Sequence, residues 1–300
     1  MDHPLISEAQ KGLRKRVISF FKDSYSVPRE SNIIFVCGGN GVDHMRPRFR
    51  SYVEVNASEF EVFHPEFAME NLLSSNLSEP FDIADFESFI GNLSKAIVIF
   101  PEAAGSYAET GYFSAISQLA KKTILVLDSD YQGGDSFISL GPAKKIAQTS
   151  LFQPVLQMSY KAPIFDLVVK RIRRFPLLKT MKQLKWSKMS DLSDFEWFCL
   201  IHEVVSFMSI ATIGDIEFIL RGISGSHLSI HKAHQITSIL VGSKYLEQYG
   251  DYGHLRTNKA KGPLLKITDG KRNEYNELRL DLAALYQDIG GDFLALIGGL

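Results

Sequence analysis

The 300-residue sequence predicts an α/β fold: a Rossmann-like parallel sheet with helices on both faces, followed by a mainly helical, winged-helix-like C-terminal domain. Two observations carry the first part. Four short, nearly unbroken apolar runs are spaced along the first half, as expected for strands buried on both faces. Stretches with helical periodicity separate them, and strands alternating with helices imply βαβ units. A third observation carries the second part. From about Ala162 the apolar positions follow helical spacing, until a basic segment near residue 250 reads as a hairpin.

The four predicted strands are "NIIFVCGG" (32–39), "EFEVFHP" (centred on 61–65), "KAIVIFP" (95–101) and "KKTILVLD" (121–128). Between them "RFRSYVEV", "FAMENLLSS", "DIADFESFIGNLS" and "SYAETGYFSAISQLA" read as helices. "GGDSFISLGPAKKIA" closes this half, with its Gly-Pro predicted to open a last helix. Right-handed crossovers then gather the functional loops at the carboxyl ends of the strands. In the second half "PIFDLVVKRIRRF", "DFEWFCLIHEVVSFMSI", "TIGDIEFILRGI" and His231–Gly242 read as helices. A hairpin is expected to pair "YLEQY" with "LLKIT". Helices followed by a basic hairpin fit a winged-helix pattern; a small helical domain whose hairpin packs on its own core fits equally well.

Composition bounds the function. No apolar run approaches the ~20 residues of a membrane helix, and "MDHPLISEAQKGLRKR" has no apolar signal-peptide core. Two distant cysteines, Cys37 and Cys199, fit a reducing compartment, so a cytoplasmic protein without membrane contact is expected. The near-neutral net charge of −1 hides an asymmetry. Residues 1–150 carry 19 acids against 14 Lys/Arg, and residues 151–300 carry 15 against 19. The stretch 161–190 has nine Lys/Arg and one acid, Asp166. It is either a solvated helix face or a surface for nucleic acid or another acidic partner. His227, His231 and His234 cluster without the carboxylate or spacing of a zinc site.

Three strand-end loops carry the candidate chemistry. In "VCGGN", Gly38 and Gly39 allow a close backbone approach or a positive φ, which serves a ligand or a tight turn. No G-x-G-x-x-G or G-x-x-x-x-G-K-[ST] accompanies them. In "FHPEF", Glu66 is either a first-turn acid favoured by the helix dipole or a contact for a ligand hydroxyl. In "PEAAGSYAETG", Ser106 reads as an N-cap and Glu109, three residues on, as the partner of an S-x-x-E capping box. That pairing explains Glu109 without chemistry, but leaves Glu102 unexplained.

Taken together, the blocks "FVCGGN", "FHPE", "IVIFPEAAGSYAETGYFS" and "SFISLGP", in this order, resemble the nucleoside 2-deoxyribosyltransferase-like family. More closely, the chain is similar to the effector proteins encoded beside bacterial retron reverse transcriptases. The resemblance covers residues 30–150, and the second half in layout only. It implies cleavage of an N-glycosidic bond, with Glu109 as the catalytic carboxylate. It further implies hydrolysis of NAD or a related nucleotide as a toxic antiphage response. NAD is then a substrate, with no cofactor or metal expected. Complex formation with a reverse transcriptase and its multicopy single-stranded DNA is also implied, and a higher-order oligomer is compatible with it. Gly38, Gly39, Asn40, Gly105 and Ser106 are expected to hold phosphate or ribose, and Glu66 and Glu102 sugar hydroxyls. Residues 1–160 would form the catalytic domain and 161–300 the nucleic-acid or partner domain. Lys95 departs from the pattern, standing where related effectors carry an acid. A deoxyribosyltransferase, a nucleotide phosphoribohydrolase and a non-catalytic nucleotide sensor remain alternatives.

Overall fold

The computed structural model describes the chain except residues 1–2, 65–67, 69–82, 133, 178–179, 185–191, 225–229, 251–252 and 290–300, and the side chains of residues 230, 231 and 289. The chain divides into two compact units. One comprises Glu30–Phe63 and Glu79–Leu178; the other comprises Met1–Arg29, His64–Ser78 and Lys179–Leu300. This differs from a single division at residue 160. The N-terminal arm belongs with the C-terminal half, and the basic helix after residue 160 belongs with the sheet.

The chain opens with helix α1 (Lys11–Asp23) and strand β1 (Tyr25–Pro28), both part of the second unit. The sheet unit follows: β2 (Ile33–Cys37), α2 (Met45–Asn56), β3 (Glu61–Val62), α3 (Ile83–Leu93), β4 (Ala96–Ile99), α4 (Ala104–Ala115), α5 (Ser117–Lys122), β5 (Thr123–Asp128), α6 (Lys144–Thr149), β6 (Leu156–Met158) and α7 (Asp166–Arg173). Its five strands are all parallel, in the order β3-β2-β4-β5-β6. The apolar runs form β2, β4 and β5 as expected. The second run yields only two paired residues, and the fifth strand, "LQM", is too short to stand out in the sequence. The "FAMENLLSS" helix lies outside the described residues. Pro142 does not open a helix; it sits inside a π-helical turn, Ser139–Ala143, that runs into α6.

Side-chain alternation on β2 gives the sheet two faces. Ile34 and Val36 join Phe49 and Val53 of α2 and Val168, Val169 and Ile172 of α7 in one core. There Phe49 meets Phe100 at 5.6 Å and Phe165 at 5.3 Å between ring centroids. On the opposite face Phe35 meets Phe63 at 5.9 Å and Phe113 of α4 at 6.1 Å, and Phe63 meets Phe86 of α3. Gly91 lets α3 approach closely, because a Cβ there would stand 2.9 Å from Leu119 and 3.0 Å from Ile97. The anomalous Lys95 pairs with Glu30.

The second unit continues with β7 (Met181–Gln183), α8 (Asp194–Met208), α9 (Ile213–Ser224), α10 (Ile230–Gly242), β8 (Leu246–Tyr249), β9 (His254–Thr257), β10 (Lys266–Ile267) and α11 (Arg272–Ile289). Strand β1 lies between β10 and β7, antiparallel to both. The hairpin pairs β8 with β9, Leu246 opposite Thr257 and Tyr249 opposite His254. It does not pair with "LLKIT", contrary to the expectation from the sequence. Gly250 (φ 65°) and Gly253 (φ 68°) close the nearer turn, and "LLKIT" supplies β10 to β1 instead. Ala211, between α8 and α9, exchanges backbone hydrogen bonds with Leu255 of β9 at 3.0 and 2.8 Å. Helix α8 is buried along most of its length and starts with a reciprocal Ser193–Glu196 cap.

Among the described residues, no helix is long and apolar enough to cross a membrane. No group of three or more His, Cys, Asp or Glu there could hold a metal ion. His227 lies outside the described residues, as does the side chain of His231.

Candidate active site in the switch-point crevice

The order β3-β2-β4-β5-β6 reverses direction between β2 and β4. In open α/β sheets, ligands bind in the crevice at the carboxyl ends of the strands at such a point. Here the loops after β2 (38–44) and β4 (100–103) flank that crevice, and the start of α4 follows the second loop.

Glu102 knits the two loops together. Its Oε1 accepts from the Gly39 N–H at 2.9 Å and the Arg46 N–H at 3.4 Å. Both of its carboxylate oxygens accept from the Met45 N–H at 2.9 Å. The N-cap residue of α2, His44, makes no side-chain cap. Glu102 therefore caps α2 from a different loop, satisfying first-turn amides and meeting the positive end of the helix dipole. Its oxygens are engaged with backbone, which places it as a loop anchor rather than a sugar contact.

The glycines answer to the same packing. A Cβ on Gly38 would lie 2.9 Å from Glu102 Oε1 and 3.0 Å from Arg46 Cβ. A Cβ on Gly39 would lie 2.2 Å from His44 Nδ1. Neither glycine has a positive φ. The groups that approach these backbones are the protein's own, and the Gly39 amide is taken by Glu102. Asn40 stands exposed beyond them. Glu66 lies outside the described residues.

Helix α4 begins three residues earlier than S-x-x-E predicts, with Ala103 as N-cap. Ser106 is thus its third helical residue. It is buried, with Oγ accepting from the Glu102 and Ala103 N–H groups at 3.1 and 3.0 Å and donating to the Ala103 carbonyl at 2.9 Å. Its role is internal, which corrects its expected place in a ligand cradle. Gly105 is exposed in the first turn, with open space where a Cβ would be. The shift of register has a consequence for Glu109. It stands well inside the helix, past the first turn, so the capping explanation for this carboxylate fails.

Packing places Glu109. Phe113, one turn further along α4, is fully buried against Phe35 of β2. Residues i and i+4 share a helix face, and residues i and i+2 share a sheet face. Glu109 therefore lies over Cys37 as Phe113 lies over Phe35. Glu87 reaches the same spot from α3, beside the core residue Phe86; the Tyr112 hydroxyl donates to the Ala84 carbonyl at 3.4 Å and ties the two helices together. Glu87 is a site residue that the sequence reading missed.

The electrostatics are those of a coupled acid pair. Burial, then the Glu109 charge and hydrogen bond, raise Glu87 from 4.5 to about 7. Burial also raises Glu109, opposed by a hydrogen bond from Cys37, the Arg46 charge and the bond with Glu87. The Cys37 thiol is pushed up by burial first and by both carboxylates next, so it stays protonated as a donor to Glu109. With both carboxylates ionised, Glu109 Oε2 would be buried without a donor. A proton on Glu87 relieves that repulsion. The two carboxyls therefore share a proton, which burial and mutual repulsion hold more tightly than a free carboxyl would.

A second network borders the crevice on the β5 side. Gln132 donates to the Pro101 carbonyl and, at 2.7 Å, to the Tyr107 hydroxyl, and accepts from the Asp128 N–H at 2.9 Å. Tyr160 donates to the Val126 carbonyl at 2.6 Å. Its hydroxyl is held protonated by burial and then by the Glu102 and Asp128 carboxylates.

The basic stretch 161–190 is largely tied down. Lys161 pairs with Asp130, Lys170 with Asp166, Arg173 with Glu59 and Lys182 with Glu196. Arg171 donates to the carbonyls of Phe152 and Pro154. Helix α7 buries its apolar face in the sheet core, so its basic residues stand on a solvated helix face. The lysines at 179, 185 and 188 lie outside the described residues.

The fold and crevice define a doubly wound α/β protein with a coupled pair of carboxylates at its switch point, joined to a helical unit. The STM3845 retron effector family model matches residues 43–248, well over half of the chain, and the chain belongs to that family. It is a retron effector. The chain is similar to the Escherichia coli "Retron Ec73 putative ribosyltransferase/DNA-binding protein", 26% identical over 275 residues, covering 79% of this chain and 85% of that protein. It is also similar to the Escherichia coli "Retron Ec86 putative ribosyltransferase/DNA-binding protein", 30% identical over 112 residues, covering 37% of this chain and 36% of that protein.

Proposed function

We propose that this effector is a deoxyribosyltransferase-like N-glycosidase that cleaves the C1′–N bond of NAD or a related nucleotide as the toxic step of antiphage defence. The observation that carries this is the Glu109–Glu87 pair: a carboxylate with no structural capping duty, beside a group that holds a proton near neutral pH. The ribosyltransferase names of the two retron relatives support the same reaction class.

In this mechanism the C1′–N bond breaks with its electron pair passing to the leaving ring, and positive charge builds on the sugar. Glu109 stabilises that charge or bonds to C1′. The nicotinamide of NAD leaves neutral, so departure needs no strong acid. Water then adds to C1′ and releases its proton to solvent, while Glu87 keeps its own and Glu109 is set free as the carboxylate. Arg46, whose charge opposes the rise that burial gives Glu109, favours the ionised nucleophile.

The second unit is proposed to contact the retron reverse transcriptase or its multicopy single-stranded DNA. Three helices followed by a hairpin, with Ala211 paired to β9, support a winged-helix-like layout there.

The test is release of free base from NAD and from nucleosides, followed for the wild type and Glu109→Gln. Glu109→Gln should lower turnover by at least ~10³-fold, typical of losing a nucleophile or its base, with thermal unfolding still cooperative. Normal cleavage by that variant would overturn the assignment. Transfer of the sugar to an added base instead of water would favour the transferase.

A further inference from the structure

A second cavity, of about 340 Å³, opens in the sheet unit at the carboxyl ends of β5 and β6, next to the edge of the sheet. Its floor is apolar, made by Leu127, Ala143, Ala147 and Val155. Its rim is polar. Gln157, opposite Leu127 in the β5–β6 register, is exposed, and its amide makes no hydrogen bond among the described residues. Lys144, at the start of α6, is exposed on the rim and forms no ion pair there. Asp135 contributes a carboxylate from the loop after β5.

This cavity is distinct from the acid pair but joined to its crevice through one residue. Gln132 lines the cavity and also holds Tyr107 and Pro101 at the crevice. Strands in a sheet lie about 4.8 Å apart. The β2–β4 gap and the β5–β6 edge are two strands apart, so about 10 Å separates the two places. Binding sites with an apolar floor and a few convergent polar groups suit flat heteroaromatic rings.

Resting on the glycosidase reading above, we infer that this cavity is a second subsite, which holds the nucleotide half of a dinucleotide that is not cleaved. The ring lies on the Leu127–Ala143–Ala147–Val155 floor. The Gln157 amide, with a donor and an acceptor free, reads its edge. Asp135 accepts from ribose hydroxyls, and Lys144 meets the phosphate as a point charge. A mononucleotide would occupy only the crevice, so the cavity makes the enzyme prefer dinucleotides over mononucleotides carrying the same scissile bond.

The experiment uses the full chain and two readouts. Adenosine monophosphate is titrated calorimetrically into Glu109→Gln, with and without Lys144→Ala and Gln157→Ala. Cleavage of NAD and of nicotinamide mononucleotide is measured for the same rim substitutions on the active protein. Each rim substitution should weaken adenosine monophosphate binding by about tenfold, the loss of one good polar contact. kcat/KM for NAD should fall by a similar factor, and that for nicotinamide mononucleotide should not change. Both rim residues are exposed, so folding is not at issue. Failure of adenosine monophosphate to bind at millimolar concentration, or equal losses on both substrates, overturns the subsite. Binding that depends on Lys144 and Gln157 in a protein that cleaves neither substrate supports the subsite and overturns the glycosidase reading instead.

Discussion

The acid pair should destabilise the fold that carries it, and the size of that effect follows from Glu87. In the unfolded chain this carboxyl titrates at its ordinary 4.5; in the folded protein it titrates at about 7. Below 4.5 both states hold the proton, and folding is indifferent to pH at this site. Between 4.5 and 7 the folded state binds the proton more tightly, so stability falls as pH rises. Above 7 the loss is complete. At about 1.36 kcal/mol per unit, the full shift corresponds to roughly 3 kcal/mol. Glu87 is partly solvated, and screening reduces this to about 1–2 kcal/mol. Glu87→Gln removes the ionisation and should restore most of it. For a unit of this size that is about 2–8 °C in Tm. Thermal unfolding followed by circular dichroism at pH 5 and at pH 8 measures it. Glu87→Gln should unfold several degrees above wild type at pH 8 and close to it at pH 5. A Tm difference of the same size and sign at both pH values would refute the coupled-pair argument, because packing alone would then explain it.

Two further substitutions test the frame around the crevice. Glu102→Ala removes the carboxylate that accepts from Gly39, Met45 and Arg46 and should cost about 1–3 kcal/mol. Hydrogen exchange should speed up at the amides of 39–46; unchanged protection there would show that the anchor carries no stability. Gly39→Ala drives a methyl group against the His44 ring and should lower stability by about 1–3 kcal/mol. Adding His44→Ala should recover most of the loss in a denaturant titration, whereas simple additivity would contradict the steric account.

Much of the sheet was legible in the sequence because burial on both faces leaves continuous apolar runs such as "IIFVC" and "TILVLD". β3 and β6 were not, since two or three paired residues make no pattern. The hairpin closes on β9 and not on "LLKIT" because Gly250 and Gly253 turn the chain directly after β8. Glu109 was recognised through its family block, and its local S-x-x-E spacing pointed away from chemistry. Only the observed start of α4 at Ala104 separates it from a cap. The role of Glu102 was hidden for a different reason: its partners are backbone amides 56 to 63 residues away, which no local spacing encodes. Glu87 resembles any solvent-facing helical acid. Its one signal was its position beside Phe86, a core residue, on a helix that leads into β4.

Strand β1 sits between β7 and β10, so the second unit is built from both ends of the polypeptide. Phe20, Phe21 and Tyr25, all buried, come from the first 29 residues, and their neighbour Phe207 comes from α8. A ribosome must therefore pass Ile267 before this antiparallel sheet can close, whereas every strand of the sheet unit has been made by Met158. The sheet unit, with the acid pair, emerges ahead of the completed helical unit. Prematurely terminated chains would therefore carry the acid pair without the complete helical unit. Any single-cut fragment meant to isolate the helical unit would also strip the central strand from its antiparallel sheet.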